Sequence, residues 1–212
     1  MASPERRYLR RFSRTERAVH WIHASAFFVL LGSGLVLYLP ALSEAVARRQ
    51  FVKAVHIDRA IAWAAALLLI VLLGDRSGLR RAVREINLFD SDDRRWLRGR
   101  PAPQGRLNAG QKLNVAVTAA FSVLFALTGF LLWYGERDTR FRFPGTVALH
   151  DALTYISVVI VVGHLYLAVL HPATRHALRG ITFGSVREDW AREHHAKWAD
   201  SRAAPASPPK PK

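Results

Sequence analysis

Four long stretches without a charged residue leave this chain few ways to fold. Ala18 to Ser43 runs 26 residues without Lys, Arg, Asp or Glu, Ala60 to Gly74 runs 15, and Leu113 to Gly135 and Ala152 to Thr174 run 23 each. A helix needs about 20 mostly apolar residues to cross a bilayer. The first, third and fourth runs reach that length directly. The second reaches it by starting near Ala54 and taking Asp58 and Arg59 into its first turns, where an Arg side chain snorkels to the interface. The expected fold is all-α, an integral membrane four-helix bundle with spans at about 19–39, 54–74, 113–134 and 148–170.

The segments around the spans follow from charge and composition. Residues 1–18 form a basic arm, 19–171 the transmembrane domain, 172–200 an interfacial segment, and 201–212 a Pro-rich tail expected to be disordered. The basic arm followed by an apolar run imitates a signal peptide, but the run far exceeds a signal core of about 7–15 residues, so the first helix is read as retained. No internal repeat is evident. Residues 1–19 hold six basic residues, 75–112 ten and 171–212 eight, against three in 40–53 and three in 135–147. With four spans, the first three segments share one side. The positive-inside rule places that side, with both termini, in the cytoplasm of a bacterial inner membrane. The basic loop from Arg76 to Arg106 then faces anionic lipid headgroups, and no nucleic-acid partner is expected.

The chain has no cysteine. This excludes disulfides, thiolate-held iron–sulfur clusters, zinc ribbons and a c-type haem attachment. A redox centre here must be held by His or carboxylate. Five of the nine His lie in or at the ends of apolar spans: His20, His23, His56, His150 and His164. An ionisable residue inside a membrane points to function, and neutral imidazole is an ordinary axial ligand of haem iron. The competing account is a His that only hydrogen-bonds a carbonyl between helices. His150 and His164 are 14 residues apart, ~21 Å of rise and nearly one helix face. Topology then matches levels: His20 with His164 toward the cytoplasm, His56 with His150 toward the outside. Two stacked bis-His sites in a four-helix bundle are a natural place for two b-type haems. His23 competes with His20 for the inner position. His171, His176, His194 and His195 follow the last span and are expected to be interfacial or solvated.

Several motifs carry a family resemblance. They are Thr15-Glu16-Arg17-Ala18-Val19-His20-Trp21, the block Asn108-Ala109-Gly110-Gln111-Lys112, His164-Leu165-Tyr166, and the segment Gly184-Ser185-Val186 through Trp190-Ala191 and His194-His195 to Trp198. Over residues 12–198 the chain resembles the cytochrome b (gamma) subunit of membrane-bound formate dehydrogenases. The resemblance implies a di-haem b subunit in a complex of three. A molybdenum or tungsten alpha subunit oxidises formate on the outside, and an iron–sulfur beta subunit passes electrons to the outer haem. It implies His56 and His150 as outer ligands and His20 and His164 as inner ligands. It also implies a quinone site at Asn108, Gly110 and Gln111, beside the inner haem. Hydrogenase cytochromes b share the general plan, so a subunit of a hydrogenase or of another molybdoenzyme is the alternative. A haem-free anchor or transporter is the alternative from another class.

The Asn-Ala-Gly-Gln-Lys block also has its own physical reading. Asn and Gln offer amide donors to a quinone carbonyl, and Gly lets a flat ring approach. A helix N-terminus favours the negative charge that develops on a reduced quinone. The competing account is a plain helix start, with Asn108 as cap, Gly110 as turn and Lys112 at the interface. Arg59 is a candidate partner for a haem propionate, for Asp58 or for Asp151. Gly32 or Gly34 is a candidate to make room for a porphyrin face.

Overall fold

The computed structural model describes residues 7–203. Strand β1 covers Tyr8–Arg10, and helix α1 covers Arg14–Tyr38. A short helix, α2 (Pro40–Val46), leads into α3 (Arg49–Leu73). Two further helices, α4 (Arg76–Asn87) and α5 (Ser91–Leu97), precede α6 (Ala109–Gly135). A 3₁₀ turn at Thr139–Phe141 leads to α7 (Thr146–Leu165), which continues as a π-helical turn over Tyr166–Leu170. The chain ends with α8 (Ala177–Phe183), strand β2 (Ser185–Arg187), α9 (Glu188–His194) and α10 (Ala196–Ala203).

Helices α1, α3, α6 and α7 with its π-turn are each long and apolar enough to cross a membrane. Hydrocarbon offers backbone N–H and C=O groups no partner, so a spanning segment must satisfy them internally, as a helix does. The four helices begin earlier than the apolar runs suggest, at residues 14, 49, 109 and 146. Helices α1 and α3 open on charged and polar residues, Arg14-Thr15-Glu16 and Arg49-Gln50, that belong at an interface. Large apolar side chains project outward along all four, with Leu73, Val123, Val159 and Val162 more than half exposed. Such a surface is unstable in water and matched to lipid. Asp58 and Arg59 are exposed and form no ion pair among the described residues, so Arg59 meets neither Asp58 nor Asp151.

The chain divides into two compact units. The first holds residues 14–80 and 117–163, and so most of the spanning helices. Within it α1 and α3 pack closely as an antiparallel hairpin. Among the described residues no other pair of spanning helices packs as closely. Helices α6 and α7 meet instead through side chains: His150 lies edge-on to Phe125, with ring centroids 5.1 Å apart. Lys53 and Glu136 form an ion pair at 2.5 Å, and Tyr38 meets Tyr155 edge-on at 6.2 Å. At the far end of the hairpin, the Asp75 N–H donates to the Thr15 hydroxyl at 3.2 Å. The Asp75 carboxylate caps α4 by accepting from the Gly78 N–H at 2.9 Å.

The second unit gathers the described residues of 7–13, 81–116 and 164–203. Strands β1 and β2 pair antiparallel, with Leu9 opposite Val186. Gly184 turns the chain from α8 into β2 at φ 88°, a left-handed conformation that favours glycine. Its carbonyl accepts from the N–H groups of Arg11 and Phe12, which ties the N-terminal arm down. Val186, Trp190, Ala191, Trp198 and Ala199 form a small buried core, with Leu9 and Ala177 against it. Residues 172–200 are thus folded around their own apolar centre. Helix α10 continues through Ala203, so residues 201–203 are helical where the sequence suggested disorder. Residues 204–212 lie outside the described residues.

Candidate haem-binding site

The sequence singled out His56 and His150, and in the structure each meets a hydroxyl on the spanning helix that precedes it. Each is held in the same way. The Ser33 hydroxyl on α1 donates its proton to the Val29 carbonyl at 2.8 Å. Its oxygen therefore accepts from Nδ1 of His56, also at 2.8 Å. The Thr128 hydroxyl on α6 donates to the Leu124 carbonyl at 2.8 Å. Its oxygen accepts from Nδ1 of His150 at 2.8 Å. A hydroxyl has one proton, and here the helix backbone takes it, so the imidazole must supply the other. That assignment makes both rings Nδ1–H tautomers with a lone pair on Nε2. No side-chain hydrogen bond recorded for the described residues involves Nε2 of either ring, and the His56 ring also has the Leu30 carbonyl within reach.

The residue after each hydroxyl is glycine. A Cβ at Gly34 would lie 3.5 Å from Cε1 of His56, and one at Gly129 would lie 3.8 Å from Cε1 of His150. Each ring therefore lies alongside a helix surface with no side chain at that point. Gly32, the other candidate to make room, has nothing within reach.

The remaining span histidines are placed one by one. His20 lies in α1 and sits edge-on to Trp21 at 5.0 Å. His23, one turn on, faces Trp63 of α3 at 5.8 Å. The Trp63 indole N–H is buried without a hydrogen-bond partner, which leaves a donor calling for an acceptor. His164 lies in the last α-helical turn of α7, directly before the π-turn. There the His171 N–H reaches back five residues to the Tyr166 carbonyl at 2.9 Å. Pro172 stops the helix immediately afterwards. His20 belongs to the first unit and His164 to the second.

The Asn-Ala-Gly-Gln-Lys block is a reciprocal helix cap. Asn108 Oδ1 accepts from the Gln111 N–H at 2.8 Å, and Gln111 Oε1 accepts from the Asn108 N–H at 3.1 Å. Both amide oxygens are engaged. Neither side-chain NH2 group has a partner among the described residues. Gly110 has a packing reason of its own: a Cβ there would meet the Trp96 ring at 3.0 Å. Lys112 is not at an interface. It is buried and donates to Asp93 Oδ2 at 2.6 Å and to the Leu88 carbonyl at 2.9 Å.

Behind Gln111 lies a cluster that sequence reasoning missed. Arg11 is only 3% exposed. Its Nη2 donates to the Arg106 carbonyl at 2.8 Å, to Gln111 Oε1 at 3.1 Å and to His195 Nε2 at 2.9 Å. His195 Nδ1–H donates to the Gly105 carbonyl at 2.7 Å. His195 is therefore buried and engaged on both nitrogens, where the sequence suggested solvent. The partners are far apart in sequence, and only the folded arm brings them together.

Burial and the Arg11 guanidinium hold the His195 imidazole down to about 3, while burial and Arg106 lower Arg11 to about 9. Unfolded His titrates near 6.5, so the opened state binds more protons between about 3 and 6.5. Stability of this unit is full above about pH 6.5 and falls as the pH drops through that window. The slope approaches ~1.4 kcal/mol per pH unit. Amide exchange around Trp190 and His195 in the intact chain should speed up on acidification from pH 7 to 5, and His195→Gln should flatten that dependence.

Four apolar helices with imidazoles between them define a helical membrane protein equipped to bind a prosthetic group. The chain matches the model of prokaryotic cytochrome b561 over residues 11–184, and it belongs to that family. It is 25% identical over 198 residues to the formate dehydrogenase cytochrome b556 subunit of Haemophilus influenzae, covering 86% of this chain and 78% of that one. It is 24% identical over 202 residues to the cytochrome b556(fdo) subunit of formate dehydrogenase from Escherichia coli, covering 89% and 90%. The nitrate-inducible Escherichia coli subunit is 25% identical over 198 residues, covering 86% of each. The family implies haem b. His56 and His150 fit that group: both offer a neutral imidazole with a lone pair on Nε2, beside a helix surface kept low by glycine.

Proposed function

We propose that this chain is the membrane cytochrome b subunit of a respiratory formate dehydrogenase, linking an outward-facing iron–sulfur subunit to quinone on the cytoplasmic side. The observation that carries the reading is the matched pair His56 and His150, each with Nδ1 tied to a hydroxyl and Nε2 left for a metal. These two residues hold the outer of two b haems, and His20 and His164 hold the inner one. Bound haem b supplies one-electron redox chemistry, which connects iron–sulfur donors to quinone. Relatives at about a quarter identity over nearly the whole length, all named as formate dehydrogenase subunits, support formate as the ultimate donor. Formate itself is oxidised on a molybdenum or tungsten partner subunit.

At the quinone site, Asn108 and Gln111 use their oxygens to cap α6 and keep their NH2 groups for a quinone carbonyl. Arg11 fixes the Gln111 oxygen, which sets which way the amide faces. The α6 N-terminus favours the negative charge that develops on a reduced quinone. The surplus of basic residues, 24 against six, supports both termini in the cytoplasm of the inner membrane. Pyridine haemochrome analysis of the chain expressed with adequate haem should give about two b haems per polypeptide. A chain that purifies folded and without haem would overturn the reading.

A further inference from the structure

We infer that Ser33 and Thr128 are positioning residues for the two outer haem ligands: they fix the tautomer of His56 and His150 and set the donor strength of Nε2. The inference rests on the proposed ligation by those histidines. A serine or threonine in a membrane helix commonly satisfies its own proton on the carbonyl one turn back. That local bond explains the hydroxyl's donation at both positions. It does not explain why each hydroxyl oxygen also meets an imidazole Nδ1 at 2.8 Å from the neighbouring helix.

The arrangement occurs twice. On the helix preceding each histidine's own spanning helix stands a hydroxyl residue followed by glycine, Ser33-Gly34 on α1 and Thr128-Gly129 on α6. On the next spanning helix stands the histidine, 23 residues later in one case and 22 in the other. In both, the ring edge passes over the glycine, 3.5 and 3.8 Å from where a Cβ would be. A chance contact between a helix hydroxyl and a nearby ring has no reason to recur with the same donor atom, the same distance and the same following residue.

The consequence is electronic as well as geometric. An acceptor on Nδ1–H gives the imidazole partial imidazolate character and makes Nε2 a better donor. A better donor stabilises the ferric state and lowers the reduction potential. Because the hydroxyl's proton is committed to the helix carbonyl, its oxygen remains an acceptor and cannot reverse roles. Two such bonds act together on one site, so their loss should be roughly additive, since Ser33 and Thr128 act on different rings.

The test uses the full chain in four variants, Ser33→Ala, Thr128→Val, Ser33→Thr and Thr128→Ser. Haem content by pyridine haemochrome and a potentiometric titration are read together. Ser33→Ala and Thr128→Val should keep two haems and raise the midpoint potential of one of them. The expected size is about a tenfold change in the reduction equilibrium per hydroxyl removed, ~59 mV for a one-electron couple. Low-temperature electron paramagnetic resonance of the oxidised protein should show altered g values for the same haem, since an untethered ring is free to rotate. Ser33→Thr and Thr128→Ser keep the hydroxyl and should keep the potential. Unchanged potentials and g values in Ser33→Ala and Thr128→Val, with both haems bound, would overturn the inference. His56→Ala and His150→Ala serve as the control for the reading beneath it: if these retain two haems, the ligation itself is wrong, whatever the hydroxyl variants do.

Discussion

His56→Ala should yield a folded membrane protein that carries one b haem per chain instead of two. An axial bond lost from a bis-imidazole site leaves Ala with nothing to offer the metal, and hydrocarbon supplies no substitute ligand. On the proposed ligation His150→Ala should give the same count, because both residues would serve one site. The hairpin itself should survive, since α1 and α3 pack along their length and do not depend on one ring. His164→Ala should remove the other haem and quinone reduction with it, while the outer haem stays reducible by the iron–sulfur partner. Optical spectra of the purified variants separate the cases. If His56→Ala and His164→Ala removed the same haem, the two-level arrangement would be wrong.

Asp93→Ala should be the most damaging single substitution outside the spanning helices. The Lys112 ammonium and the Asp93 carboxylate are both buried, with side chains 9% and 4% exposed and 2.6 Å apart. The carboxylate also closes a capping box with Asp90 at the start of α5, where each side chain accepts from the other's N–H. Removing it leaves a charged amine in a dry site with the Leu88 carbonyl and the face of the Phe89 ring as its recorded contacts. Breaking a buried pair from one side costs about 3–5 kcal/mol. The expected outcome is a lower melting temperature and faster proteolysis within 81–116, together with loss of quinone reduction, because Lys112 adjoins the Asn108–Gln111 cap. The double substitution Asp93→Leu with Lys112→Met should recover much of the stability, since an apolar pair of similar volume leaves no charge uncompensated. Equal melting temperatures for Asp93→Ala and the unsubstituted chain would show that the pair contributes little.

Much of the architecture was legible in local sequence. Four uncharged runs gave four spanning helices, because length and polarity decide whether a segment crosses lipid. Thr128 and Gly129 carry no local mark of a site, and nothing in the sequence distinguishes that glycine from Gly163, which has no neighbour within reach. The hydroxyl before the glycine, some 22 residues ahead of a histidine, was the available signal, and a single occurrence carries little weight. The helix-start account of the Asn108 block proved correct in its hydrogen bonds, yet it leaves both amide NH2 groups over, so it coexists with the proposed quinone role. Lys112 and His195 went the other way: the helix-start account put Lys112 at the interface, position after the last span made His195 interfacial or solvated, and burial won through partners at a distance.

What the sequence by itself determined is where the chain enters lipid and which imidazoles go with it, because a bilayer acts on each segment separately. What only the tertiary structure decided is the partner of each polar group. Ser33 meets His56, Thr128 meets His150, and Lys112 meets Asp93. Arg11 meets His195 across 184 residues. These bonds join different elements, and their directions depend on how helices and arm pack. Hydropathy follows one residue at a time, whereas a buried hydrogen bond exists only once both partners have been brought out of water together.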